Sequence, residues 1–282
     1  IPMIIFPCAK INLGLNVVSQ REDGYHDIET VFYPIPLNDA LEINYMDNDY
    51  PSEVQCDLKV TGNSIDCDET KNLVIRAYNL LAADYDLQRV HVHLYKYIPS
   101  QAGLGGGSSD GAYMIRLLDK YLRLNIGYAD METYATRLGA DCAFFIKAEP
   151  SYATGIGDTL TPVDVHSGYL HKYYIVIVKP DIAVSTKDAY KAIKPHHPTK
   201  CSKDVVCQPI ETWKYDLTND FETSVFDQYP KLKAIKEKMY SLGAVYAQMS
   251  GSGSAIYGIF NQKPHSIEKE YIDCFTFTSR LK

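Results

Sequence analysis

Pro99-Ser-Gln-Ala-Gly-Leu-Gly-Gly-Gly-Ser-Ser-Asp110 carries four glycines, Gly103, Gly105, Gly106 and Gly107, followed at once by two hydroxyls, Ser108 and Ser109. Before it, Val90 to Tyr97 alternates and predicts a strand. After it, Ala112 to Leu122 places Met114, Leu117, Leu118 and Tyr121 at helical spacing. The glycines therefore stand between a strand and the N-terminus of a helix. Glycine admits positive φ and close approach of a ligand to the backbone. The first helical turn offers unpaired N–H groups and the positive end of the dipole, which attract phosphate. Two readings follow: a tight turn with Ser108 or Ser109 as N-cap, or a phosphate-binding loop. The loop is not a Walker A motif, because no Gly-Lys-Ser/Thr closes it. Nor is it the dinucleotide fingerprint: Gly103-x-Gly105 begins that pattern, but Ser108 stands where the last glycine belongs.

The 282 residues suffice for one large domain or two ordinary ones, and 46% apolar residues support a sizeable core. A net charge of −7 argues against a general binder of nucleic acid or anionic membrane, so an anionic substrate must be met by a local positive site. No apolar run reaches the length of a membrane span and no secretion signal is read at the N-terminus. The cysteines at 8, 56, 67, 142, 201, 207 and 274 show no CxxC or CxxH spacing and read as free thiols of a reducing, cytoplasmic protein.

Along the chain, Ile4 to Val18 carries two apolar runs, with Lys10 as the single charge between Ala9 and Leu15. That lysine is either an edge-strand side chain reaching back to water or a cation aimed into a pocket. Asp23-Gly24 predicts a turn, and Tyr25 and His26 leave it either packed on their own hairpin or presented to a flat ligand. Ile28 to Tyr33 and Ala40 to Tyr45 read as strands joined through Pro34, Pro36 and Asn38-Asp39, and Glu53 to Val60 as another. Asn72 to Ala83 reads as a helix. Asp130 is expected to cap a short helix that ends near Leu138-Gly139. Asp141 is the one charge in Gly139 to Ile146, either a helix cap or a carboxylate with a task. A boundary is expected between Thr161 and Lys172, giving domains 1–160 and 161–282. Beyond it come the strand Tyr173 to Val178, a helix at Ala189 to Ile193, a solvated loop from Pro195 to Pro209 and a helix from Ile235 to Leu242. A second Gly/Ser loop, Met249 to Ile256, leads into the strand Ala255 to Phe260. A short helix near Pro264 to Glu270 and a strand near Tyr271 to Phe277 close the chain.

Pro7 to Asn12, the Pro99-to-Asp110 loop and Met249 to Ile256 together resemble the three motifs of the GHMP kinases. Ala9-Lys-Ile-Asn-Leu13 with Arg21-Glu-Asp-Gly-Tyr-His26, and Leu138-Gly-Ala-Asp141, narrow the resemblance. They match the branch whose members phosphorylate the 2-hydroxyl of 4-diphosphocytidyl-2-C-methyl-D-erythritol in the non-mevalonate isoprenoid route. The resemblance implies an α/β (α+β) fold of two domains, the first ribosomal-protein-like and the second ferredoxin-like, with the active site in the cleft between them. It implies ATP, with Mg2+ carried alongside and held by Ser108 or Ser109, and no further metal site. By matching motifs, Asp141 is the base that accepts the hydroxyl proton and Lys10 keeps it ionised and stabilises the moving phosphoryl group. ATP is held by Pro99, Ser100, Gln101, Ala102, Gly103, Leu104, Gly105, Gly106, Gly107, Ser108 and Ser109, with Asn72 at the adenine end. Asn12 holds the substrate near the reacting carbon, His26 bonds the cytosine edge, Tyr25 stacks on its face, and Tyr190 supplies the second aromatic. Asp110 departs from the family's usual Asn, and Gly111 stands where a helix prefers Ala. The implied partner is the small-molecule substrate alone, with no nucleic acid or membrane, and the protein is a monomer or weak homodimer. The alternatives are a GHMP kinase of the mevalonate or homoserine type, or a non-catalytic nucleotide-binding regulator.

Overall fold

The computed structural model describes residues 1–47, 49–64 and 68–281, so the thiol expected at Cys67 lies outside the described residues. Its strands are β1 (Met3–Ile5), β2 (Cys8–Gln20), β3 (His26–Asn38), β4 (Ala40–Tyr45), β5 (Cys56–Gly62), β6 (Val90–Lys96), β7 (Ser151–Thr154), β8 (Thr159–Pro162), β9 (Tyr174–Pro180), β10 (Tyr246–Met249), β11 (Ile256–Phe260) and β12 (Cys274–Arg280). Its α-helices are α1 (Leu73–Ala82), α2 (Gly106–Leu122), α3 (Tyr128–Leu138), α4 (Phe144–Lys147), α5 (Thr186–Lys191), α6 (Ser202–Val205), α7 (Ile210–Asp216), α8 (Phe221–Gln228), α9 (Pro230–Ser241) and α10 (Ile267–Glu270).

The chain forms two compact units, each assembled from separated segments. The first contains Ile1–Ala9, Leu37–Ser100 and Gly105–Ala148. Its sheet has the order β1-β4-β6-β5, with β5 parallel to β6 and the other pairs antiparallel. The parallel pair needs a crossover, and α1 supplies it. Period-2 alternation sends Val90, Val92 and Leu94 of β6 to the buried face, and helical spacing does the same for Val74, Ala77, Tyr78 and Leu81 of α1.

The second unit contains Lys10–Pro36, Gln101–Leu104 and Glu149–Lys282. One of its sheets runs β2-β3-β7-β8, and the β2–β3 turn is closed by the Arg21 amide on the Tyr25 carbonyl at 2.8 Å. The other runs β10-β11-β9-β12, all neighbours antiparallel. Counted from β9, that is a βαββαβ chain in the order 4-1-3-2, the ferredoxin-like arrangement that the family resemblance implies. Its core joins Leu15, Val17 and Ile28 to Val176, Val178, Phe221, Leu232 and Met239.

Several elements differ from the reading of the sequence. β3 does not stop at Tyr33 but continues through Pro34 and Pro36. Its partner β7 registers only with Thr30, Val31 and Phe32, so that neighbour draws no bond from the two prolines. Gly127, not Asp130, caps α3, and Asp130 lies in its first turn. The solvated loop 195–209 contains α6, while α7 and α8 were not foreseen. The expected cut between residues 160 and 161 falls inside β8, which pairs with β7 along its whole length. Among the described residues, Cys8, Cys56, Cys142, Cys201, Cys207 and Cys274 form no disulfide.

Candidate active site

In the first unit, the glycine stretch is where α2 begins. The helix starts at Gly106, six residues before the expected Ala112, and Gly105 precedes it in the left-handed region at φ 70°. Gly107 has open space where a side chain would stand, and the Ser109 hydroxyl is buried with no partner among the described residues. Unsatisfied helix N–H groups, an open glycine and an orphaned hydroxyl suit an anionic ligand. Gly111 has a structural reason: a Cβ there would lie 2.8 Å from the Leu73 Cβ, so α1 and α2 touch through its missing side chain.

Asp110 is buried in a cluster. Its carboxylate accepts from the Lys96 ammonium at 2.7 Å, and Lys96 also pairs with Asp39. Asp39 in turn accepts from the Tyr97 and Ile98 amides at 2.6 and 2.8 Å, where the loop leaves β6. Burial lifts the Asp110 carboxyl well above the usual carboxylate range, against the pull of Lys96. Burial works against the Lys96 charge, but the two carboxylates outweigh it and its pKa is raised. Asn72 caps α1 through its Oδ1, which accepts from the Val74 amide at 2.9 Å, leaving its Nδ2 as the donor that a base could use.

Asp141 lies half-buried in the turn between α3 and α4. The N-cap of α4 is Ala143, so Asp141 is not a cap. Its neighbour Cys142 is buried; burial first, then the charge of Asp141, pushes the thiol up to about 12, while a bond to Ser108 opposes the shift. Cys142 thus ties the turn that bears Asp141 to the first turn of α2.

In the second unit, Lys10 is only 5% exposed. Its ammonium donates to Asn12 Oδ1 at 2.7 Å and to the Gly103 carbonyl at 3.0 Å, and stands 5.1 Å from the Phe32 ring centre. The reading of Lys10 as a side chain reaching back to water is therefore excluded. Gly103 has φ 74°, and a Cβ on it would fall 2.0 Å from the Ser250 carbonyl oxygen. Ser250 donates its hydroxyl to the Gly103 carbonyl at 2.9 Å and accepts from the Asn12 amide at 3.3 Å. Residues 101–104 are also sewn to the second Gly/Ser loop by the Ala255 amide on the Ala102 carbonyl, at 3.1 Å. Lys10, Asn12, the start of the glycine stretch and the second Gly/Ser loop, three motifs far apart in sequence, thus form one hydrogen-bonded body.

The same unit holds the aromatic residues. Tyr25 is 61% exposed at the β2–β3 turn. His26 stacks on Tyr190 with ring centres 4.8 Å apart and an interplanar angle of 21°. Tyr190 stands edge-on to Phe221, and burial pushes its hydroxyl up to about 12. It sits on α5, whose N-cap Ser185 accepts from the Asp188 amide. The aromatic partner of Tyr190 is thus His26, which the sequence reading had assigned to the edge of the base.

Sequence reasoning missed Thr30, Gln248, Asn219 and Tyr257. Tyr257 donates to the Asn12 carbonyl at 2.8 Å, Gln248 accepts from the Gly14 amide at 2.9 Å, and Asn219 binds the Met249 and Gly251 carbonyls at 2.8 Å. Their only signal is polarity at positions of a strand or loop that fold inward. Among the described residues no group of three or more His, Cys, Asp or Glu could hold a metal ion, and no helix is long and apolar enough to cross a membrane.

Residues 72–149 match the GHMP kinases N terminal domain and residues 210–271 the GHMP kinases C terminal domain. The chain is 48% identical over 280 residues to the 4-diphosphocytidyl-2-C-methyl-D-erythritol kinase of Bacteroides fragilis, covering 99% of this chain and all of the relative. It is 45% identical to the enzyme of that name from Porphyromonas gingivalis, covering 98% and 99%. A crystal structure of a 4-(cytidine 5'-diphospho)-2C-methyl-D-erythritol kinase superposes with a TM-score of 0.77 at 29% identity, covering 98% of each chain.

Proposed function

The chain belongs to the 4-diphosphocytidyl-2-C-methyl-D-erythritol kinases, a branch of the GHMP kinases, and we propose how its residues divide the work of that reaction. It is an ATP-dependent kinase that moves the γ-phosphoryl group of ATP to the 2-hydroxyl of 4-diphosphocytidyl-2-C-methyl-D-erythritol. A bond forms between that oxygen and the γ-phosphorus, the bond to the bridging oxygen breaks, and ADP leaves. Asp141 takes the hydroxyl proton as general base. The Lys10 ammonium offsets charge on the transferring group, and Gly103 to Ser109 hold the phosphates through backbone N–H groups. Pro99, Ser100, Gln101 and Ala102 shape the approach to them, and Asn72 reaches the adenine end through Nδ2. Asn12 orients the acceptor, while Tyr25, His26 and Tyr190 take the cytosine. Mg2+ travels with ATP beside Ser108 or Ser109. The protein works in the cytoplasm as a monomer or weak homodimer.

The observation that carries this reading is the bond from the buried Lys10 ammonium to the Gly103 carbonyl, which fixes the cation to the glycine stretch itself. Asp110 is absent from these roles because its carboxylate is engaged by Lys96. A mevalonate- or homoserine-type acceptor is not favoured, given 45% and 48% identity over nearly the whole chain to kinases of the cytidyl substrate.

The test is ADP release in a coupled assay with Mg-ATP and each of three acceptors: 4-diphosphocytidyl-2-C-methyl-D-erythritol, mevalonate and homoserine. Turnover is expected with the first alone. Asp141→Asn is expected to keep ATP binding and lose about a hundredfold or more in kcat, the worth of a general base. A kcat near wild type removes Asp141 from that role.

A further inference from the structure

Thr30 lies in β3, fully buried, and is not among the residues assigned above. Its hydroxyl donates to the Gly14 carbonyl at 2.5 Å, and its oxygen accepts from Asn12 Nδ2 at 3.0 Å. Asn12, 2% exposed, accepts at Oδ1 from the Lys10 ammonium at 2.7 Å.

The directions of these bonds are forced. An ammonium only donates, so the atom of Asn12 facing Lys10 must be the oxygen. Asn12 Nδ2 then points the other way and needs an acceptor. Thr30 has a single proton, and Gly14 receives it, so the Thr30 oxygen is available to accept. The relay from Gly14 through Thr30 and Asn12 to Lys10 has one consistent arrangement of protons. We propose that Thr30 is a positioning residue for phosphoryl transfer: it locks the Asn12 amide with its oxygen toward Lys10 and so holds the ammonium on station beside Gly103. The inference rests on the reading of Lys10 as the cation of the reaction.

Removal of the Thr30 hydroxyl leaves Asn12 Nδ2 buried without an acceptor and the Gly14 carbonyl without this donor. The amide then loses the bond that anchors its far side, and only the Lys10 ammonium still holds its oxygen in place.

The experiment compares Thr30→Val, nearly the same shape without the hydroxyl, with Thr30→Ser, which restores it. Lys10→Met is run alongside. Thr30→Val is expected to lower kcat about tenfold, the worth of one buried hydrogen bond, with the KM for ATP within about twofold. Thr30→Ser is expected to return kcat to within about threefold of wild type. A Thr30→Val enzyme with unchanged kcat overturns the inference, provided Lys10→Met is inactive. Should Lys10→Met turn over normally, the reading of Lys10 itself fails. A loss in Thr30→Val that appears equally in Thr30→Ser, or as a raised KM for ATP with kcat intact, marks a purely structural role and also overturns the inference. If Thr30→Val does not fold, Thr30→Cys, which keeps the volume with a weak donor and acceptor, must show the fall in kcat that Thr30→Ser lacks.

Discussion

Asp110 and Lys10 show how differently two buried charges sit in this chain. Lys10 was legible because it interrupts an apolar run. Lys96 and Asp39 were not, because Lys96 falls within the alternation of β6 and Asp39 looks like an ordinary turn residue. What joins Lys96, Asp39 and Asp110 is a shared buried space, and two carboxylates there share one ammonium. The raised Asp110 pKa sets the sign of a pH effect. A carboxyl that holds its proton more tightly when folded contributes stability below the unfolded pKa and loses that contribution as pH rises through the folded value. Asp110→Asn leaves a one-to-one pair of Lys96 with Asp39 and removes the titration. Urea unfolding from mildly acidic to mildly alkaline pH is therefore expected to show the native protein weakening with rising pH more than Asp110→Asn. Parallel pH dependences of the two proteins would refute this.

At the scale of elements, most strands and helices were readable from their periods. The failures have physical causes. β3 passes through two prolines because β7 has already ended beside it. α7 and α8 were missed because seven or eight residues give too few turns for a periodic signal, and their stability comes from burying Trp213 and Phe221. Gly111 sets two effects against each other. Alanine inside α2 should gain about 1 kcal/mol from helix propensity. The contact it would make with the Leu73 Cβ, at 2.8 Å, is one that real Cβ atoms do not make, and overpacking of this kind costs about 1–3 kcal/mol. The second effect wins where the neighbour is a Cβ on a packed helix. Gly111→Ala is expected to lower the unfolding free energy by about 1 kcal/mol or more, measured by urea denaturation. A stabilised variant would show that α1 can retreat.

For the molecule as a whole, three site motifs could be named from sequence, but the domain boundary could not be placed. A linear reading looks for one cut, and this chain has none: each unit takes three separate segments. The core of the second unit includes Leu15, Val17 and Ile28 from the N-terminal part. A fragment made of residues 149–282 therefore lacks part of its own core. It is expected to show no cooperative urea transition by circular dichroism, and a sharp one would overturn this picture.

The bond between Asn12 and Ser250 spans 238 residues. At a synthesis rate of about 5–20 residues per second, roughly ten to fifty seconds pass between the two leaving the ribosome. Lys10 is made long before Ser250, whose hydroxyl shares the Gly103 carbonyl with the Lys10 ammonium. Until Ser250 emerges, the nascent chain carries β2 without the second Gly/Ser loop that bonds to it. A chain that stops upstream of Ser250 lacks the hydroxyl that joins the Asn12 backbone amide to the Gly103 carbonyl, and is expected to show no kinase activity.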